Sequence, residues 1–310
     1  MRPVRDSLLV LSRSVAARRL VATLPISAAI VRGYVPGETV TEAIEAVRAL
    51  AEQGLDATVD HLGEDTLEES QARAAVQAYR VLLDRLADEG LAHRAEVSVK
   101  LSALGLRLSE GERVALENAR RICRAAAGAG TTVTVDMEDH TLTDATLAIV
   151  SALRADFPQT GVVLQAYLRR TEADCRALAH AGSRVRLCKG AYDEPAEVAY
   201  TDPGDVDRSF VRCLKVLLDG EGYPMIATHD PRLVEIAGAL ASRYGRAPGT
   251  YELQMLYGVR PAEQRRLVAT GERVRVYLPY GSEWYGYLVR RLAERPQNLT
   301  LFLTSLISKK

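Results

Sequence analysis

AEVSVKLSALGLRLSEGERVALENARRICRAAAGAGTTVTVDMED, residues 95–139, decides the fold. Its ends are short β-type runs, Glu96–Leu101 and Thr132–Met137. Between them Glu112–Ala129 has the texture of an amphipathic helix closed by Gly130. Strand, helix, strand is the unit of a parallel sheet. The same alternation recurs through Ala57–Leu62, Val162–Tyr167, Val185–Cys188, Met225–Thr228, Tyr251–Met255 and Val274–Leu278, with helical stretches such as Leu67–Glu89 and a last one at Glu283–Glu294. Eight such pairs predict an α/β chain folded as a (βα)8 TIM barrel. The strands read as mostly continuous apolar runs, as in a sheet covered on both faces. A doubly wound sheet is the alternative, but the glycine-rich dinucleotide fingerprint follows none of the strands.

Residues 1–54 read as an N-terminal helical extension, and 55–310 as the barrel with a C-terminal helix and tail. Leu8–Val21 is apolar with interspersed arginine, Pro25 interrupts it, and Pro36-Gly37 makes a turn. Thr41 is then expected to cap a helix whose Ile44, Val47, Leu50 and Ala51 share a face, ending near Gly54. With 40 basic and 40 acidic residues the net charge is zero, which gives no reason to expect nucleic acid as a partner. No apolar run is long enough to span a bilayer, and Leu8–Leu11 is too short for a signal-peptide core. The four cysteines stand far apart without a C-x-x-C, so a cytoplasmic protein without structural zinc is expected. Lysine occurs only at 100, 189, 215, 309 and 310, so that a lysine inside the chain is a choice against arginine.

In barrels of this kind reactive groups gather where strands run out into the following loops. Those positions here carry Lys100, Asp136 and Glu138, Gln165, Arg186 with Lys189, Thr228-His229-Asp230, Gln254 and Tyr277. Any one of them could be a solvated strand end; the set is harder to dismiss. On the last helix Tyr287, Arg290, Arg291 and Glu294 fall on one face, while Leu288 and Leu292 serve the core. Two adjacent guanidiniums at a barrel mouth make a bidentate receptor for a carboxylate or phosphate.

These residues carry a resemblance. Val97-Ser98-Val99-Lys100-Leu101-Ser102, Val135-Asp136-Met137-Glu138, Leu164-Gln165-Ala166-Tyr167-Leu168 and Arg186-Leu187-Cys188-Lys189-Gly190-Ala191-Tyr192 appear in order. Ala227-Thr228-His229-Asp230, Glu252-Leu253-Gln254-Met255-Leu256-Tyr257-Gly258 and Tyr287-Leu288-Val289-Arg290-Arg291-Leu292-Ala293-Glu294 complete the series. Over Asp56 to Asn298 the chain resembles the proline dehydrogenases, of the short monofunctional bacterial type.

The resemblance implies a distorted (βα)8 barrel that holds FAD without a Rossmann fold and oxidises L-proline to Δ1-pyrroline-5-carboxylate. A hydride passes to the flavin N5, and the electrons then go to a membrane quinone. It implies that Lys100, Arg290 and Arg291 clamp the substrate carboxylate, and that Tyr277 and Tyr287 wall the substrate, joined by Tyr192 and Leu256. Arg186 resembles the family arginine beside N5, where a cation stabilises the reduced ring. Gln165, Lys189, Gly190 and Ala191 would line the ring and ribityl chain, and Thr228, His229 and Gln254 the rest of FAD. Glu294 matches a family glutamate that pairs with basic neighbours. The substrate amine must be neutral to release a hydride, and Asp136, near Lys100, is the positional candidate for taking its proton. Long family members commonly carry Asn where this chain has Asp230.

Two other chemistries compete. A Schiff-base lyase or aldolase could use Lys100 or Lys189, although it has no need of paired arginines on the last helix. A metal hydrolase is disfavoured because His61, His140, His180 and His229 lack ligand spacing. A non-catalytic binding barrel is the third alternative. Cys188 reads as a small buried hydrophobe. The N-terminal helices and the tail Leu299–Ile307 are expected to cover the barrel or pair subunits into a homo-oligomer, with peripheral membrane contact the alternative use.

Overall fold

The computed structural model describes residues 31–293, with side chains through Leu288. Helix α1 (Val40–Glu52) leads into β1 (Asp56–His61), and seven further strands follow: β2 (Ala95–Val99), β3 (Val133–Val135), β4 (Gly161–Gln165), β5 (Arg184–Cys188), β6 (Tyr223–Ala227), β7 (Glu252–Leu256) and β8 (Val274–Tyr280). The helices after the strands are α2 (Glu69–Asp88), α3 (Gly111–Gly128), α4 (Thr143–Asp156), α5 (Thr171–Leu178), α6 (Pro203–Asp219), α7 (Pro231–Arg243), α8 (Pro261–Ala269) and α9 (Trp284–Ala293). The strands pair in parallel and in sequence order, and β1 also pairs with β8, which closes the barrel.

Helix α1 starts earlier than its sequence predicts. Its cap is Thr39, whose hydroxyl accepts the Glu42 N–H while Glu42 reaches back to the Thr39 N–H at 3.0 Å. Thr41 lies inside the helix. The buried face Ala43, Ile44, Val47 and Leu50 joins the same core as the barrel strands and packs on β1 and β8. That is the place the helix after the eighth strand takes in a regular barrel. The chain ahead of α1 crosses the carboxyl rim: Gly281 N–H reaches Gly37 O at 3.2 Å, and the Gly33 carbonyl lies so close to Gly258 that a Cβ there would collide with it.

The strands are not continuous apolar runs in the sense the sequence suggested. They alternate. Ala57 and Val59, Val97 and Val99, Val133 and Val135, Val185 and Leu187, and Val274, Val276 and Leu278 turn outward to the helices and form the apolar core. The residues between them are polar, and their hydrogen bonds join strands that are not neighbours. Arg184 on β5 reaches Glu96 on β2 at 2.6 Å, and Tyr277 on β8 reaches Asp136, just past β3, at 2.7 Å. Such bonds can run only through the barrel. Its interior is therefore filled with charge in place of the usual branched apolar layers.

Candidate active site

Parallel strands bring all eight carboxyl ends to one mouth. The inward-facing residues there divide by chemistry. The β1–β4 side presents Asp60, Lys100, Asp136 and Gln165; the β5–β8 side presents Cys188, Ala227, Leu256 and the Tyr277 ring. On β5, β6 and β7 the final residue is half-buried, above fully buried neighbours. Polar and apolar halves thus share one opening.

On the polar side Lys100 Nζ lies 2.7 Å from Asp60 Oδ2. Burial pulls the lysine's pKa down, but the carboxylates Asp60, Asp136 and Glu64 overcome it and hold the ammonium well above its ordinary value. A Schiff-base lysine must be neutral to attack a carbonyl, so Lys100 is unsuited to the lyase reading. Lys189 is tied up by Asp207 at 2.6 Å and Asp230 at 3.3 Å. Asp136 receives three hydrogen bonds: from Ser98 Oγ at 2.7 Å and Arg186 Nη1 at 2.8 Å on one oxygen, and from the Tyr277 hydroxyl on the other. The candidate proton acceptor is thus already occupied in orienting its neighbours. Burial, followed by the Asp136 charge, raises the Tyr277 phenol far above its ordinary range and keeps it a donor.

Arg186 lies beneath this layer, 4% exposed. Its Nε donates to Gln254 at 2.5 Å, Nη1 to Ser98 and Asp136, and Nη2 to Thr58 and Glu96 at 3.4 Å each. A guanidinium has five N–H donors, and here each has an acceptor. Arg186 can therefore act on a ligand above it through its charge, and its face lies 5.4 Å from the Tyr277 ring centroid. Gln254 is buried with it, its amide donating to Glu252 at 2.6 Å, and the Gln165 amide donates to the Glu138 carbonyl at 2.8 Å. Gln254, expected at the cofactor, spends the hydrogen bonds seen here inside the barrel, whereas Gln165 stands at the mouth and bonds the loop after β3.

Lys189, Gly190, Ala191, Thr228 and His229 are brought to the rim after β5 and β6. Gly190 has φ +118, and a Cβ there would strike the Tyr167 ring, so only glycine lets the chain turn against that tyrosine. His229 Nε2 accepts the Leu256 N–H at 2.8 Å, which puts the ring proton on Nδ1 and ties the ends of β6 and β7 together. Asp230 caps α7 through the Arg232 N–H at 3.1 Å and pairs with Lys189 and Arg232. An asparagine would cap equally well but lose both ion pairs. Burial pushes the Cys188 thiol up to about 12, but the residue is half-buried at the mouth, not enclosed as the sequence reading expected.

Tyr287 and Leu288 on α9 are both buried. Arg290 and Arg291 fall on the same helix, but their side chains, together with Glu294, the tail and Leu8–Val21, lie outside the described residues. Sequence reading missed Asp60, the partner of Lys100, and Ser98, which joins Asp136 to Arg186. The signal was present: Asp56, Thr58 and Asp60, and Glu96, Ser98 and Lys100, recur at every second position.

A closed parallel barrel with a cationic, acid-lined mouth is the layout of an α/β-barrel enzyme. The sequence signature described as proline dehydrogenase matches residues 43–301. The chain is 37% identical over 278 residues to Proline dehydrogenase 1 of Bacillus subtilis (strain 168), covering 90% of this chain and 91% of that one. It is 39% identical over 277 residues to the Proline dehydrogenase of Deinococcus radiodurans, covering 88% and 89%. Among solved structures it resembles proline utilization A (PutA) from Bdellovibrio bacteriovorus inactivated by N-propargylglycine, with a TM-score of 0.80 and 27% identity over 86% of this chain. It spans only 33% of that longer chain. The chain belongs to the proline dehydrogenase family.

Proposed function

We propose that this chain oxidises L-proline to Δ1-pyrroline-5-carboxylate, the first step of proline catabolism, with FAD as its cofactor and a membrane quinone as the final electron acceptor. The observation that carries the reading is the divided mouth. A firmly charged Lys100 and Asp136 stand on one side of the opening, and the apolar floor of Cys188, Ala227 and Leu256 on the other, with Tyr277 reaching across to Asp136 above a buried arginine. That floor fits a flat, largely apolar ring, and Gly190 keeps a side chain out of its edge. FAD, when bound, would supply the hydride acceptor and the electron route to the quinone.

The chain's own residues do the rest. Lys100, with Arg290 and Arg291 from α9, binds the substrate carboxylate. Tyr277 and Tyr287, with Tyr192 and Leu256 beside them, wall the ring so that the reacting carbon is held at near-attack distance. Asp136 fixes the Tyr277 hydroxyl and the Arg186 guanidinium in place, and Arg186 lends positive charge to the site from below. Lys189, Gly190 and Ala191 edge the cofactor, Thr228 and His229 hold the rim of β6, Gln165 faces the cofactor at the mouth, and Gln254 sets the layer beneath. Among the described residues no helix is long and apolar enough to cross a membrane; we propose that the quinone is met at the membrane surface from the cytoplasmic side. The N-terminal extension and the C-terminal tail are proposed to cover the barrel and to pair subunits into a homo-oligomer.

The test is optical. The purified protein should be yellow, and its flavin absorbance should bleach when L-proline is added without oxygen. A colourless protein that takes up no added FAD sinks the proposal.

A further inference from the structure

The segment after β5, residues 189–200, wraps around Tyr167. The Tyr167 N–H donates to Lys189 O at 2.8 Å, its carbonyl accepts the Tyr200 N–H at 2.8 Å, and its ring packs against Gly190. Beyond it, Leu168 and Ala199 form an antiparallel bridge, and Arg169 donates to the Ala196 carbonyl at 3.1 Å. The Arg169 guanidinium also lies 4.7 Å from the Tyr200 ring centroid. These contacts tie the segment to the loop after β4. Glu194 reaches further. Its side chain is 2% exposed, and it accepts the His140 backbone N–H at 2.8 Å, the Tyr167 hydroxyl at 3.2 Å and the His140 ring nitrogen Nδ1. His140 belongs to the loop after β3, which also carries Asp136.

A carboxylate so far out of water is costly unless its oxygens are matched by donors. Glu194 has three, from two other loops, so the segment is held down at that point. Five residues upstream is Lys189, the first residue of the stretch assigned to the cofactor edge. We infer that Glu194 is a positioning residue: by pinning segment 189–200 to the loop after β3 it fixes the Lys189-Gly190-Ala191 backbone that edges FAD. The inference rests on the flavin reading above.

Glu194→Ala, Glu194→Gln and Tyr167→Phe test it, with FAD dissociation from the holoenzyme followed by flavin fluorescence, and amide hydrogen exchange measured over 190–200. Glu194→Ala should weaken FAD binding roughly tenfold or more, about the cost of losing a buried charge-assisted contact. It should also speed exchange across the segment. Glu194→Gln, which still offers an acceptor to the His140 N–H, should recover part of the affinity, and Tyr167→Phe should lose less than Glu194→Ala. If Glu194→Ala fails to fold, the Gln and Phe variants must still weaken FAD binding. Wild-type protein that binds FAD while every variant binds it as tightly overturns the inference alone. Unchanged exchange over 190–200 does the same. Wild-type protein that takes up no FAD overturns the flavin reading and the inference together.

Discussion

Tyr277 shows how one residue can serve both stability and chemistry. Its ring stands at the mouth while its hydroxyl donates to Asp136, which also receives Arg186 and Ser98. A hydrogen bond to a charged acceptor contributes about 1.5–3 kcal/mol, and breaking a buried charge pair costs about 3–5 kcal/mol. Tyr277→Phe should therefore lower the unfolding free energy by the smaller amount, and Asp136→Ala, which takes the nearer of two carboxylates from Arg186 and leaves it Glu96 at 3.4 Å, by the larger. Urea titration ranks the two. Kinetics separate ring from hydroxyl: Tyr277→Ser should raise KM for L-proline and relax the exclusion of 4-hydroxyproline more than Tyr277→Phe does. Equal effects in both variants would show that the ring does not touch the substrate. Arg186 was legible in the sequence as a cation at a strand end. Its five satisfied donors were not, because their acceptors come from Thr58, Glu96, Ser98, Asp136 and Gln254, brought together only when the sheet closes.

Among the elements, the eight strands were readable because each is short, carries an apolar core and is followed by a helical period. Their facing was misread because two very different surfaces, apolar helices outside and charged side chains inside, bury both sides. Alternation of the kind Asp56-Ala57-Thr58-Val59-Asp60 then passes for a buried run with polar interruptions. Helix starts were less legible: Thr39 and Thr41 are both plausible caps, and only the reach of Glu42 decides between them. The start of α7 carries a pH dependence that can be measured. The Arg232 hydrogen bond first, aided by the Arg232 N–H and Lys189 against the opposing effect of burial, lowers the Asp230 pKa from 3.8 to about 2. A carboxylate depressed in the folded state adds stability above its unfolded pKa and loses it as pH falls through the folded one. Wild type should accordingly be more stable than Asp230→Asn at neutral pH. The gap should narrow between about pH 4 and pH 2, since asparagine keeps the cap but not the charge. Melting curves across that range check it, and a gap that stays constant down to pH 2 refutes the ion-pair account.

Across the whole molecule, charge fills the barrel from end to end, but the two ends serve different purposes. At the amino end Arg275 lies 2.8 Å from Glu252, Arg184 reaches Glu96, and Arg273 meets Asp56 at 2.8 Å. These pairs border a cavity of about 670 Å³ that opens away from the mouth. They face no part of the proposed substrate site, and conserving charge there is a matter of holding the sheet together. Arg275→Met leaves Glu252, fully buried, without its nearest cation. It should cost about 3–5 kcal/mol of the 5–15 kcal/mol that folded domains possess, while KM for L-proline and FAD affinity stay unchanged below the melting range. Lys100→Met likewise strands the buried Asp60, yet it should also raise KM strongly, because the ammonium it removes stands at the mouth. Measuring stability and KM on both variants sets the two ends of one charged column against each other. A rise in KM for Arg275→Met as large as for Lys100→Met would mean that the column transmits its charge along the barrel, and that the mouth cannot be understood apart from the floor.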